Sequence, residues 1–250
     1  MTSSVHERFV IGVDDTDSAK GGGTGPLVRA LAARVEDEGF GMSLGVTRHR
    51  LLDSTKIAKT SRNSALALVV ETERGLDEVE DYAVAFVRAE AERDADPGVA
   101  VLSRHSDMPH ILAFGRRSQQ EVMKLIDSAR FASEGNVRLR PLGNNQNGTI
   151  GALAAAGLRA GGGDGYYIAL RGLEDLRGRT TAGKIRVETA IEKVLDEATG
   201  EELDRDDAVD AGEGLWPRLD AGEPLLLTTR SEDDRKLWLP IDRNPPSGAV

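Results

Sequence analysis

Residues 9–27 read FVIGVDDTDSAKGGGTGPL, and this stretch decides the fold class. The apolar run at Phe9, Val10, Ile11 and Val13 has the length and β-rich content of a buried strand. Three carboxylates leave it, Asp14, Asp15 and Asp17, and a loop follows with Lys20, Gly21, Gly22, Gly23, Thr24 and Gly25. That loop opens a helix predicted over 26–39. Pro26 suits its first turn, Thr24 is near its cap, and Leu27, Leu31 and Val35 share a face. Carboxylates suit a divalent cation, with magnesium the best match. Backbone N–H groups at a glycine turn and a helix start suit phosphate. The bland alternative is that Asp, Ser and Thr here form turns and caps, and that Lys20 is solvated. The loop is neither a P-loop nor a Rossmann fingerprint, since it lacks G-x-x-x-x-G-K-[ST] and has the wrong glycine spacing.

Composition narrows the field. The chain has 250 residues, 39% hydrophobic and 30% charged, as in an ordinary soluble globular protein. Its net charge is −10, so there is no general electrostatic pull on nucleic acid, and RNA binding requires a local basic patch. It has no cysteine, which excludes disulfides, thiolate metal sites and a thiol nucleophile. Four histidines lack zinc-site spacing. No signal region opens the sequence and no run approaches a membrane span, so the expected location is cytoplasmic.

Outward from the first loop, strands are predicted over 42–52, 65–70, 99–102, 137–141 and 166–170. A helix over 75–93 carries the stripe Leu76, Val79, Ala83, Phe86 and Val87. A capping box at Ser118–Glu121 predicts a helix with Val122, Leu125, Ile126 and Ala129 on one face. A small-residue helix covers Ile150–Leu158. A helix over 184–197 would bury Val187, Ile191 and Val194, and residues 223–241 read as a hairpin. Strands and helices mix without strict alternation, which gives an α+β or mixed α/β fold. The expected division is a core of residues 1–171 and an α+β extension of residues 172–250. Two further loops invite ligands. Arg48, His49, Arg50, Lys56, Lys59 and Arg62 suit an anion, or form a solvated surface. Gly143, Asn144, Asn147 and Gly148 suit a phosphate, a base edge or a polar substrate, or form an Asn-Gly turn.

Four segments, in order across about residues 10–171, resemble the catalytic core of the archaeal isoleucine-tRNA agmatidine synthetases. They are Ile11-Gly-Val-Asp-Asp-Thr-Asp-Ser18 with Gly21-Gly-Gly-Thr-Gly25; Arg50-Leu-Leu through Lys59-Thr-Ser-Arg-Asn63; Asp96-Pro-Gly-Val; and Ile150-Gly-Ala-Leu-Ala-Ala-Ala with Tyr166-Tyr-Ile-Ala-Leu-Arg. The resemblance implies a kinase-like nucleotide-binding domain beside a ferredoxin-like one. It also implies ATP and Mg²⁺ as cofactors: a cytidine carbonyl oxygen is phosphorylated and an amine displaces the phosphate. By position, Asp14, Asp15 and Asp17 would bind metal, and Thr24 would stand where the family's threonine is phosphorylated. The sequence departs from the pattern where the family's cysteine is Gly23 and its second threonine is Gly25. The family's oligonucleotide-binding domain and cysteine zinc ribbon find no match in this cysteine-free chain, whose C-terminal third is acidic.

The resulting expectation is an ATP- and Mg²⁺-dependent enzyme that activates a substrate oxygen, with an amine to follow. Asp15, Thr24, Lys59 and Arg62 would be catalytic. Lys20, Gly21–Gly25 and the Gly143–Gly148 loop would hold the nucleotide. The acidic charge makes the expected acceptor a small molecule. The second reading is a tRNA-modifying enzyme with a partner to grip RNA, and the third a non-catalytic ATP-binding regulator. A homodimer is compatible with each.

Overall fold

The structure is a computed structural model, and it describes residues 6–17, 23–57 and 63–241. Its first half is β1 (Glu7–Asp14), α1 (Thr24–Asp37), β2 (Met42–Arg50), β3 (Ser64–Thr72), α2 (Leu76–Glu90) and β4 (Gly98–Leu102). These strands lie in the order β4-β1-β3-β2, with every neighbouring pair antiparallel. This β-α-β-β-α-β arrangement is ferredoxin-like.

The uninterrupted apolar run in β1 has a structural cause. Phe9, Ile11 and Val13 enter one core with Leu27, Val28, Leu31 and Val35 of α1 and Val79, Ala83, Phe86 and Val87 of α2. Val10 faces a second core on the opposite side of the sheet. A strand covered on both faces shows no polar alternation.

The second face is covered by α3 (Met108–Ser118), α4 (Leu125–Glu134) and α5 (Gly148–Gly161), with β5 (Arg138–Pro141) added beside β4. α5 lies directly on the sheet because its contact residues are small, Ala152 and Ala154–Ala156 all being fully buried. The approach is so close that a Cβ on Gly12 of β1 would overlap the Ala152 carbonyl.

On the other side β6 (Tyr166–Ala169) pairs with β2 and continues the sheet into the C-terminal region. That region holds β7 (Arg179–Thr181), α6 (Ala182–Glu188), β8 (Lys193–Asp196), β9 (Ala208–Asp210), β10 (Arg218–Asp220), β11 (Glu223–Arg230) and β12 (Leu237–Pro240). Among the described residues the strand order is β5-β4-β1-β3-β2-β6-β10-β11-β12-β9-β7, with β8 parallel to β11. A third core gathers Tyr167, Ile185, Ile191, Val194, Leu226 and Trp238. The fold is α+β, and the expected 223–241 hairpin is present as the antiparallel β11–β12 pair.

Two predicted helices are corrected. The 184–197 helix stops at Glu188: the Thr189 hydroxyl bonds back to the Ile185 carbonyl and accepts the Ile191 N–H, which turns the chain into β8. Val194 is buried in the strand paired with β11, Ile191 is buried in the third core just before that strand, and Val187 on α6 is exposed. Ser118–Glu121 opens no helix. Ser118 instead closes α3, its hydroxyl donating to the Phe114 carbonyl, and the next helix begins at Leu125. Val122, Leu125 and Ile126 are accordingly exposed.

Candidate active site

The acidic corner is the C-terminal end of β1. Asp14 is the last strand residue, opposite Gly98 of β4. Asp15 has a left-handed φ of 57°, a conformation that a short carboxylate side chain tolerates, and it turns the chain off the sheet. Its carbonyl accepts the Asp96 N–H at 3.2 Å, and the Thr16 carbonyl accepts the Glu92 N–H at 3.0 Å. The corner is thereby fastened to the link that leads into β4.

Thr16 joins the corner to α1. It is buried, and its N–H and hydroxyl donate to the Thr24 Oγ1 at 3.4 and 3.2 Å. Thr24 is also buried, as the first residue of α1, with Gly23 as the N-cap. Its hydroxyl therefore closes the corner against the helix start.

The second glycine loop has a different ligand from the one expected of it. The buried Asp96 carboxylate accepts three backbone N–H groups, from Asn145 at 2.9 Å, Gln146 at 3.0 Å and Asn147 at 2.7 Å. Successive N–H groups pointing inward form an anion nest, and here the chain's own carboxylate fills it. Gly143 and Gly148 pack against Asp96, and Gly148 also lies over Gly98 and Asp14, with no room for a Cβ. The side chains left for a ligand are those of Asn144 and Asn147, both exposed. Sequence reasoning misses Asp96 as a site residue. Its one signal is an acidic residue directly before the Pro-Gly that enters β4.

Gly151, in the first turn of α5, lies against the Asp14 carboxylate so closely that a Cβ would overlap it. Two helix starts, of α1 and α5, thus border one acidic corner. Burial drives the Asp14 carboxyl well above its ordinary range, the Asp15 and Asp17 charges add to this, and the Asp15 N–H opposes it. Asp15 is pushed up to about 6, by burial first and then by Asp96 and Asp17. Carboxylates held in mutual repulsion are the donor chemistry of a hard divalent cation, which would relieve it. Among the described residues no group of three or more His, Asp or Glu side chains is placed to hold a metal ion, so Asp14, Asp15 and Asp17 are not brought together as a three-ligand set. Lys20, Gly21, Gly22, Lys59 and Arg62 lie outside the described residues.

The basic run 48–62 splits at β2. Arg48 points toward α1, where its guanidinium touches Gly25. His49 is fully buried on the opposite face, between the Thr47 hydroxyl and the Asp164 carboxylate, both at 2.8 Å, and Gln119 holds the second Asp164 oxygen at 2.9 Å. Burial lowers the His49 pKa, against the pull of Asp164. His49 serves the packing of β2 and takes no part in the corner.

No family model matches the chain. The tRNA 2-agmatinylcytidine synthetase TiaS of Methanosarcina acetivorans is 30% identical over 155 residues, covering 60% of this chain and 35% of that protein. The crystal structure of a complex of TiaS with its tRNA and ATP matches with a TM-score of 0.55 at 26% identity, over 61% of this chain and 36% of that one. The matched part of this chain is TiaS-like. An uncharacterized protein of Methanocaldococcus jannaschii, MJ0921, is 27% identical over 152 residues, 61% of this chain and 50% of that protein. The chain thus spans half or less of the curated relatives' length, and the likeness to TiaS covers only part of each protein. Among the described residues no helix is long and apolar enough to cross a membrane.

Proposed function

We propose that this chain is an ATP-dependent synthetase of the TiaS type that modifies a base in tRNA. The observation that carries the proposal is the acidic corner bordered by the starts of α1 and α5 within a TiaS-like core. The substrate named with that solved relative favours tRNA over the small-molecule acceptor expected from acidic composition. With a net charge of −10, the chain by itself grips RNA weakly, and a partner supplies the rest of the RNA contact.

In this reading Asp14, Asp15 and Asp17 hold Mg²⁺, which neutralises charge on the triphosphate. Backbone N–H groups at the start of α1 receive phosphate oxygens. The Thr16–Thr24 bond fixes the distance between the carboxylates and that helix start. Asp96 shapes the 143–148 loop beside them, and Lys59 and Arg62 balance charge as it moves. A phosphoryl group passes from ATP to a base carbonyl oxygen. The oxygen then leaves as phosphate when an amine bonds to the ring carbon.

The test is incorporation of radiolabelled agmatine into tRNA in the presence of ATP and Mg²⁺. The expected result is ATP-dependent labelling that vanishes in Asp15→Ala. A protein that neither binds nor consumes ATP would overturn the proposal.

A further inference from the structure

The turn that opens α4 holds apolar side chains in solvent beside the acidic corner. Ser128, in the first turns of α4, meets Thr149 of α5 through their hydroxyls at 3.5 Å. Two residues on, Gly151 packs against the Asp14 carboxylate. Positions 149 and 151 lie on opposite sides of a helix, so the start of α5 separates α4 from Asp14 by one helix diameter, about 10–12 Å. Val122, Leu125 and Ile126 are 43, 37 and 72% exposed, and Lys124 stands in solvent among them. The two carboxylates of this turn are paired: Glu121 meets Arg117 at 2.6 Å and Asp127 meets Arg130 at 3.6 Å. At the start of α5, between the apolar turn and the corner, Asn144 and Asn147 are exposed, and the acid beneath them, Asp96, is enclosed in its nest. In a chain of net charge −10, this strip carries its charges in pairs, with Lys124 in excess.

We propose that this strip seats unpaired RNA beside the target base, with Leu125 and Ile126 under the bases, Asn144 and Asn147 at their edges and Lys124 on a backbone phosphate. The proposal rests on the tRNA-modifying reading and names the surface that meets the substrate. A base that reacts at a ring carbon has to leave its stack, and its neighbours then lose a stacking partner. Apolar side chains replace that partner, amides hydrogen-bond base edges, and a cation holds the phosphate. A protein partner matches the strip less well. Three partly exposed side chains present far less than the roughly 800 Å² per partner of a standard protein interface.

The test measures, on the full chain at low salt, the binding of a short unpaired RNA oligomer, of the same oligomer as a duplex, and of ATP. The wild type should prefer the unpaired oligomer. The double variant Leu125→Ser, Ile126→Ser should weaken that binding by about 10-fold and leave ATP affinity unchanged. Ile126→Glu, at the most exposed position, should weaken it at least as much without lowering the melting temperature. Asn147→Ala should weaken it by about 5-fold. Lys124→Gln should reduce the slope of log affinity against log salt by about 0.7. Wild-type RNA affinity in the double variant and in Ile126→Glu, no binding of unpaired RNA by the wild type, or equal binding of the duplex would overturn the proposal. So would light scattering that finds a wild-type dimer split by Ile126→Glu, since a second copy then covers the strip. Failure of the synthetase reading looks different: unpaired RNA would still depend on Leu125 and Ile126, while ATP would not bind and tRNA would not be labelled.

Discussion

Replacing Asp96 by alanine tests whether the second glycine loop is held from within. The carboxylate accepts N–H groups from Asn145, Gln146 and Asn147 at 2.7–3.0 Å and is the shared acceptor for all three donors. Each bond to a charged acceptor contributes about 1.5–3 kcal/mol. Residues 144–147 are exposed, so the freed donors regain water, and a net loss of roughly 1 kcal/mol apiece is reasonable. The total is about 3 kcal/mol, which for a chain of this size lowers the melting temperature by roughly 6–12 °C. Asp96→Asn should fall between, because its amide sets an N–H₂ against a backbone N–H. Thermal unfolding measures the loss, and hydrogen exchange at 145, 146 and 147 locates it. A melting temperature within about 2 °C of the wild type, with unchanged exchange at those amides, would refute the nest as the loop's anchor.

Three further outcomes follow from the packing and electrostatics. Gly12→Ala drives a methyl into the Ala152 carbonyl and should cost about 3 kcal/mol, whereas Gly163→Ala, with open space around it, should stay within about 0.5 kcal/mol; chemical denaturation compares them. His49 is held neutral by burial with its pKa lowered, so the folded state binds fewer protons than the unfolded chain. Stability should be fully present above about pH 6.5 and fall as pH drops below it. Asp164, whose carboxyl is also lowered with help from His49 and Gln119, acts in the same direction at lower pH, and His49→Gln should flatten the upper part of the curve, read from melting temperature between pH 5 and 8. Asp15→Asn removes a carboxylate pushed up to about 6 by burial and by Asp96 and Asp17, so the ligand-free variant should melt at or above the wild-type temperature at pH 7; a clear drop in differential scanning fluorimetry would contradict that repulsion.

The ferredoxin-like half was legible because its signals are local. The β1 run, the amphipathic stripe of α2 and the small residues of α5 each point to one packing partner, and the structure supplies it. The corner at Asp14–Asp17 and the start of α1 were legible as neighbours in sequence. The role of Asp96 was not, since its nest joins residues about fifty positions apart. Arg48 reads as part of a surface run, because strand alternation that sends Arg48 and His49 to opposite faces shows only once β2 is placed between β3 and β6. In 184–197 the helical spacing of Val187, Ile191 and Val194 competes with parallel pairing to β11, a long-range partner that periodicity does not reveal. At Ser118–Glu121 a capping-box pattern stands at the end of a helix, since nothing local tells a cap from a closing hydroxyl.

The most direct test of the acidic corner is calorimetric titration of ATP with and without Mg²⁺, on the wild type and on Asp15→Asn. Mg²⁺ should tighten ATP binding by the wild type and leave the variant's affinity unchanged. An affinity indifferent to Mg²⁺, or an Asp15→Asn protein that responds to the cation as the wild type does, would contradict a metal-bridged triphosphate at the end of β1.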